Sequence, residues 1–324
     1  MPDPLIVVPD DYPSVFDGTP AHQRASALGE TRVYTARGAE DEPELIQRIG
    51  RARVAINIRA HARFTDAVFT ASRHLEMVSI WGTGTDNVDL EAAGRHGITV
   101  TNTPGINAWA VAEHALTLML AVARHVPKLD REVREGQWPR VLLTQLCGKT
   151  LGVFGTGQIG ARVVTLGKAI GMQVLAWSAR GDRAHVASLG ARPASKEEIL
   201  RQADVITLHV RLAPETRGFL SRRDFALMKR TAILVNTGRG PLVERDALLD
   251  ALRTGRIAGA GLDVFHDEPV RLGDPILSLD NVVVSPHNAG QTPEVIHDGL
   301  VRAVENVENF LKGTPTDVVV APLR

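Results

Sequence analysis

Thr150-Leu151-Gly152-Val153-Phe154-Gly155-Thr156-Gly157-Gln158-Ile159-Gly160 decides the fold. Its first five residues make a short, apolar, β-prone run. After it, Val163, Leu166 and Ile170 recur at helical spacing between Ala161 and Ile170. The glycines therefore stand where a strand ends and a helix begins. In that setting G-x-G-x-x-G reads as a dinucleotide site rather than a plain turn. Gly155 allows the tight turn. Gly157 has no Cβ, so a pyrophosphate can approach the backbone. Gly160 lets the helix pack closely on the strand. The loop backbone at Gln158 and Ile159 and the positive end of the helix dipole then face the phosphates.

The 324 residues are enough for two domains of ordinary size. Lys plus Arg equals Asp plus Glu at 37 each, so no bulk charge draws the chain to nucleic acid or an anionic membrane. A single cysteine, Cys147, excludes an intrachain disulfide. Met1-Pro2-Asp3-Pro4 lacks the basic start of a leader. The most apolar long stretch, Ala108 to Ala123, carries Glu113 and His114 and is too short to span a bilayer. The expected location is the cytoplasm, with no membrane partner.

Working outward from the fingerprint, strand and helix signals alternate. Strands are expected at Leu5–Val8, Arg32–Tyr34, Val54–Ile58, Met77–Ile80 and Ile98–Thr101, with a helix over Glu44–Ile49. Asn107 can cap a long helix to about Ala123, apolar on a wide face, which reads as the crossing between domains. A second helix lies around Lys128 to Glu135. Beyond the fingerprint come strands at Gln173–Trp177, Val205–Leu208, Ala232–Val235, Gly259–Phe265 and Val282–Val284. Helices are expected at Lys196–Gln202, Asp246–Leu252 and Pro293–Leu311. This is an α/β chain with parallel sheets flanked by helices. The expected division is a discontinuous substrate domain, residues 1–101 plus 290–324, around a Rossmann-type dinucleotide-binding domain, residues 102–289.

Three ionisable residues follow strands of the second half. They are Arg239 in Asn236-Thr237-Gly238-Arg239-Gly240, Glu268 in Asp267-Glu268-Pro269, and His287 in Ser285-Pro286-His287-Asn288. Carboxyl ends of parallel strands lie on one sheet edge, so all three can face one cleft. Arginine offers a fork matched to a carboxylate. Histidine exchanges a proton near neutral pH, and a carboxylate beside it favours the imidazolium and fixes the ring. That set suits reduction of a 2-keto acid. Singly, each has a bland alternative: a capping cation, a surface turn, a loop histidine.

The sequence resembles the D-isomer-specific 2-hydroxyacid dehydrogenases over nearly its whole length. The matching stretches are Gly82-Thr83-Gly84-Thr85-Asp86-Asn87-Val88-Asp89, Asn102-Thr103-Pro104-Gly105, Val111-Ala112-Glu113-His114, the fingerprint, Asn236 to Gly240, Gly261-Leu262-Asp263-Val264 with Glu268-Pro269, and Pro286-His287. The resemblance implies hydride transfer between NAD(P)H and a small 2-keto acid such as glyoxylate or hydroxypyruvate. It implies that His287 is the acid/base, Glu268 its partner, and Arg239 the clamp on the substrate carboxylate with the N–H groups of Thr83 and Gly84. Thr237 and Asp263 then contact the nicotinamide end, and His209 and Val210 line the adenosine side. The implied fold pairs a flavodoxin-like substrate domain with the Rossmann-type domain in a homodimer formed through the crossing helix.

Where NAD-dependent relatives carry an acid after the second strand of the unit, this sequence reads Ser178-Ala179-Arg180, with Asp182 close behind. A hydroxyl and a guanidinium welcome a 2′-phosphate that a carboxylate would repel, so NADP(H) is the expected cofactor. Arg59 follows the third strand; a plain surface arginine is the favoured reading, with a contact to the substrate's far end as the alternative. Two other readings stay open. One is 3-phosphoglycerate dehydrogenase, which needs a basic pocket beyond Arg59 and His61. The other is a dinucleotide-sensing corepressor-like binding module with little turnover.

Overall fold

The computed structural model describes residues 3–59 and 61–322. Met1-Pro2, where a leader would begin, and both extreme ends of the expected domain bounds lie outside the described residues.

The chain forms two compact units, one of residues 1–107 with 292–324 and the other of residues 108–291. The first opens with β1 (Ile6–Val8), α1 (Pro20–Ser26), β2 (Thr31–Val33), α2 (Glu42–Ile49), β3 (Val54–Asn57), α3 (Asp66–Ala71), β4 (Met77–Ile80), α4 (Leu90–Arg95) and β5 (Thr99–Thr101). The second holds α5 (Ala108–Ala123), α6 (Val126–Arg134), β6 (Thr150–Phe154), α7 (Gln158–Ala169), β7 (Gln173–Trp177), α8 (Arg183–Ser188), β8 (Arg192–Pro193), α9 (Lys196–Gln202), β9 (Val205–Leu208), α10 (Arg222–Leu227), β10 (Ile233–Asn236), α11 (Arg245–Arg253), β11 (Gly259–Leu262) and β12 (Val282–Val284). The chain returns to the first unit with α12 (Pro293–Leu311) and β13 (Val318–Val320).

In the first unit the sheet order is β13-β5-β4-β3-β1-β2. All pairs are parallel except β13 against β5. Side chains alternate across it. Ile6, Val8, Val54 and Ile56 enter one core layer, with Leu300 and Val304 of α12. Val7, Ala55 and Val78 enter the other, with Leu45 and Phe69. A strand buried on both faces needs this continuous apolar run, and each fully buried Val, Ile or Leu contributes about 1.5–3 kcal/mol.

The second unit's sheet runs β12-β11-β10-β9-β6-β7-β8, all parallel. The strand order reverses between β6 and β9. Ligands of open α/β sheets bind at such a reversal, outside the carboxyl ends. The fingerprint follows β6 directly. Helix α5 packs on β10, β11 and α7, and nine of its residues are buried, which agrees with its apolar sequence.

Sequence expectation and structure differ at the margins. Helix α7 starts at Gln158, three residues before the apolar pattern, because the fingerprint's last residues already turn helically. Strand β11 ends at Leu262 rather than Phe265. The short helices α1, α3, α4, α8 and α10 carry too few turns to show a period and were not expected. Among the described residues, no helix is long and apolar enough to cross a membrane.

Candidate active site

At the end of β6, Phe154 is in register with Trp177 of β7 and Leu208 of β9. The chain then turns at Gly155, whose φ is 95°. A side chain there would collide with the carbonyl of His209, so the loop after β9 closes one side of the turn. A side chain at Gly160, in the first turn of α7, would collide with the Gly155 carbonyl. Gly157 is different. A Cβ built there meets nothing within 4 Å, and no side chain caps α7. The first N–H groups of α7, from Gln158 and Ile159 onward, thus open onto a space that a side chain would fill, as a pyrophosphate requires. These residues fit a dinucleotide.

Two loops flank this cradle. After β7, Ser178 begins a turn in which the Gly181 N–H donates to the Ser178 carbonyl at 3.0 Å, with Arg180 inside it. Asp182 comes directly after this turn. Its Oδ1 caps α8, accepting from the His185 N–H at 2.8 Å. His185 reaches back, with Nε2 3.0 Å from the Thr156 carbonyl. After β9, His209 lies with Nε2 2.8 Å from Thr207 Oγ1. Burial takes its pKa down to about 4, so it is neutral at ordinary pH, next to buried Val210.

Arg239, Glu268 and His287 follow β10, β11 and β12, which are neighbours in the sheet. The Arg239 loop is pinned from within. Asn236 Nδ2 donates to the Arg239 carbonyl at 2.9 Å, and the Gly238 N–H donates to Asn236 Oδ1 at 3.0 Å. Gly240 lies so close to the Phe265 carbonyl that a Cβ would collide with it, which seats this loop against the segment carrying Glu268. His287 Nδ1 donates to Glu268 Oε2 at 2.6 Å, and Glu268 Oε1 accepts from the Phe265 N–H at 2.9 Å. Burial pushes the Glu268 carboxyl up. The His287 hydrogen bond and charge, the Phe265 N–H and the Arg239 charge outweigh it and hold the group below the usual range. The arrangement is an imidazole oriented by a carboxylate on Nδ1.

Asp263, the first residue past β11, is fully buried. Burial raises its pKa, but hydrogen bonds from His114, Ser285, Ala289 and Asn288 bring the net shift downward. Thr237 Oγ1 is buried with no hydrogen-bond partner among the described residues. In the first unit, Gly82 has φ 120°, and its N–H donates to Thr103 Oγ1 at 2.7 Å. Asn102 Nδ2 donates to the Thr83 carbonyl at 2.9 Å, so the loop of Thr83 and Gly84 is laced to the turn after β5. Arg59 is half-buried. Its Nη2 donates to the Pro13 carbonyl and its Nε is buried without a partner among the described residues. Burial lowers its pKa, and Asp11 and Asp10 pull the other way.

A family model described as D-isomer specific 2-hydroxyacid dehydrogenase, NAD binding domain, matches residues 116–289. The chain belongs to the D-isomer specific 2-hydroxyacid dehydrogenase family. It is accordingly an oxidoreductase of 2-hydroxy acids that uses a nicotinamide dinucleotide. It is 44% identical over 248 residues to a glyoxylate reductase of Aeropyrum pernix, covering 74% of each chain. It is 35% identical to a hydroxypyruvate reductase of Blautia hydrogenotrophica, covering 97% of this chain and 99% of that one. A D-3-phosphoglycerate dehydrogenase of Archaeoglobus fulgidus is 38% identical over 88% of this chain, which spans only 54% of that longer protein. Among solved structures, an acyclic imino acid reductase in complex with NADPH and D-Arg superposes with a TM-score of 0.89 at 28% identity, covering 98% of this chain and all of that one.

Within this family member, sequence reasoning assigned no task to His114 or Ser285, yet both sit on Asp263. His114 closes the family stretch Val111 to His114, and that was the available signal. His185, which grips the glycine loop, had no signal beyond its place after the second strand.

Proposed function

We propose that the protein reduces small 2-keto acids such as glyoxylate or hydroxypyruvate to the D-2-hydroxy acids, with NADP(H) preferred. The observation that carries the reading is the 2.6 Å contact between His287 Nδ1 and Glu268, beside the pinned Arg239 loop. When bound, the dinucleotide supplies the hydride. Gly155, Gly157, Gln158, Ile159 and Gly160 would hold its pyrophosphate, His209 and Val210 its adenosine side, and Thr237 and Asp263 its nicotinamide end. With Nδ1 engaged by Glu268, His287 holds the transferable proton at Nε2 and gives it to the substrate's carbonyl oxygen. Arg239 orients the substrate carboxylate and balances the developing charge. Thr83 and Gly84, in the first unit, are assigned to that carboxylate by the family resemblance; Arg59 is a candidate for the substrate's far end only by its place just after β3.

The loop after β7 favours NADP(H). Ser178 and Arg180 are there, and the nearby Asp182 is committed to capping α8. NADPH is expected to bind more tightly than NADH by protein fluorescence titration. Ser178→Asp with Arg180→Ala should weaken NADPH binding by about ten- to hundredfold while sparing NADH. Equal affinities in the wild type would remove this part of the reading.

A homodimer is supported by unpartnered apolar surface. Helix α6 buries none of its residues, and Val126, Val133, Trp138, Val141 and Leu142 are exposed along and after it. Light scattering should give the mass of two chains. Cytoplasmic residence is supported by the one cysteine, exposed and unpaired among the described residues.

The test of the whole reading is initial rates with glyoxylate, hydroxypyruvate and, in the oxidative direction, 3-phosphoglycerate, each with both cofactors. Turnover of 3-phosphoglycerate alone would replace the substrate. No turnover with any of them, alongside cofactor-dependent capture of a protein partner, would favour the binding module.

A further inference from the structure

The turn that carries His287 is tied to one carboxylate. Asp263 Oδ1 accepts from Ser285 Oγ at 2.7 Å and from the Asn288 N–H at 3.1 Å. Its Oδ2 accepts from the Ala289 N–H at 3.0 Å. Its backbone carbonyl accepts from the His287 N–H at 2.8 Å. Residues on both sides of His287 are thus held by a single buried side chain. They need holding. His287 has φ 53°, in the left-handed region that an L-residue adopts only where its surroundings impose it.

The carboxylate is itself held from helix α5. His114 Nε2 lies 2.8 Å from Ser285 Oγ and 3.5 Å from Asp263 Oδ1. Ser285 spends its one proton on Asp263, so its oxygen can only accept from His114. Donation therefore runs from His114 Nε2–H to Ser285 Oγ, and from Ser285 Oγ–H to Asp263 Oδ1. The helix end of this chain is firm. One turn beyond His114, the Leu118 side chain packs on Gly261 of β11, where a Cβ would come within 2.8 Å of it. Helix, relay, carboxylate and turn form one connected path within one unit.

We propose that His114 and Ser285 are positioning residues: a two-donor relay from α5 that fixes Asp263 and, through it, the backbone turn that aims His287. The proposal rests on the reading of His287 as the acid/base. Neither residue touches the reacting atoms. The Arg239 loop has its own pins from Asn236 and from the fit of Gly240 against Phe265, so the effect is expected on the proton-transfer geometry more than on substrate binding.

The experiment uses the full chain with Ser285→Ala, Ser285→Thr, His114→Leu and His114→Gln, and whichever of glyoxylate or hydroxypyruvate the wild type turns over faster. Ser285→Ala and His114→Leu should lower kcat by about ten- to hundredfold, the scale of a small misplacement. KM should stay within about twofold, since uniform binding is unchanged. Thr and Gln keep a donor at similar reach and should recover most of the loss. A second readout needs no turnover. The imidazole Cε1–H resonance of His287 should be single in the wild type and broadened or doubled in Ser285→Ala. Full kcat in Ser285→Ala and His114→Leu would overturn the relay, and so would a loss that Thr and Gln fail to repair. Should Ser285→Ala not fold, the two His114 variants decide by the same criteria. His287→Asn separates the two failures. Retained activity in it sinks the acid/base reading. A dead His287→Asn beside a fully active Ser285→Ala sinks the relay alone.

Discussion

Replacing His287 by asparagine is expected to lower kcat for keto acid reduction by about a thousandfold, within the range that a positioned acid/base contributes. Asparagine is close to histidine in size and can still donate a hydrogen bond to Glu268, so the turn held by Asp263 should survive. What it lacks is an exchangeable proton near neutral pH. In the wild type, the Glu268 contact at 2.6 Å fixes the ring through Nδ1. The same carboxylate is held below its usual range by the His287 hydrogen bond, the Phe265 N–H and the Arg239 charge, so the ring keeps an ionised partner on Nδ1. Steady-state rates in His287→Asn should therefore fall with little change in KM. Near-wild-type turnover would remove His287 from the chemistry and leave the 2.6 Å pair as a structural contact.

The division between what could and could not be read in the sequence follows the length scale of each signal. Strands buried on both faces announce themselves as apolar runs, so β1, β3, β4, β6, β9 and β10 were legible from a few residues each. So was α5, whose sixteen residues give more than four turns of apolar period. A six-residue helix such as α3 or α4 gives less than two turns, and its only local sign is a cap. Thr65 and Asp89 supply those caps. Strand β13 is three residues near the chain end, and it pairs antiparallel with β5, which no βαβ rhythm foretells. For the site, the sequence carried the residue types at the strand ends, and the family resemblance carried their tasks. Contacts between distant residues were another matter. Glu268 and His287 are 19 apart in the chain, and His114 and Ser285 are 171 apart. Nothing in spacing could show that the second pair meets. Asp182 illustrates the converse. In sequence it blurred the cofactor preference, and only its hydrogen bond to His185 shows that it serves as a helix cap.

Replacing Arg239 by leucine should reduce kcat/KM for the keto acid by about a thousandfold, with the loss shared between KM and kcat. The sharing is the informative part. A guanidinium that only captured the substrate carboxylate would change KM alone, because ground state and transition state would lose the same contact. Arg239 sits on the same sheet edge as Glu268 and His287, and its charge already helps hold Glu268 ionised. On the proposed reading it is expected to contribute while charge builds on the substrate oxygen as well as at binding. Its backbone is extended, with φ −146° and ψ 141°, and is pinned by Asn236 and by the fit of Gly240 against Phe265. That preorganisation means little reordering on substrate arrival; Arg239→Leu removes the bond from Nη1 to the Gly238 carbonyl but leaves the Asn236 and Gly240 pins in place. Lysine restores the charge but not the planar fork, so Arg239→Lys should recover kcat more fully than KM. Initial-rate series for the three proteins check this, with dinucleotide affinity measured separately by fluorescence titration and expected to stay unchanged. A loss confined to KM in Arg239→Leu would reduce the residue to a capture site and shift the burden of charge stabilisation onto the proton of His287.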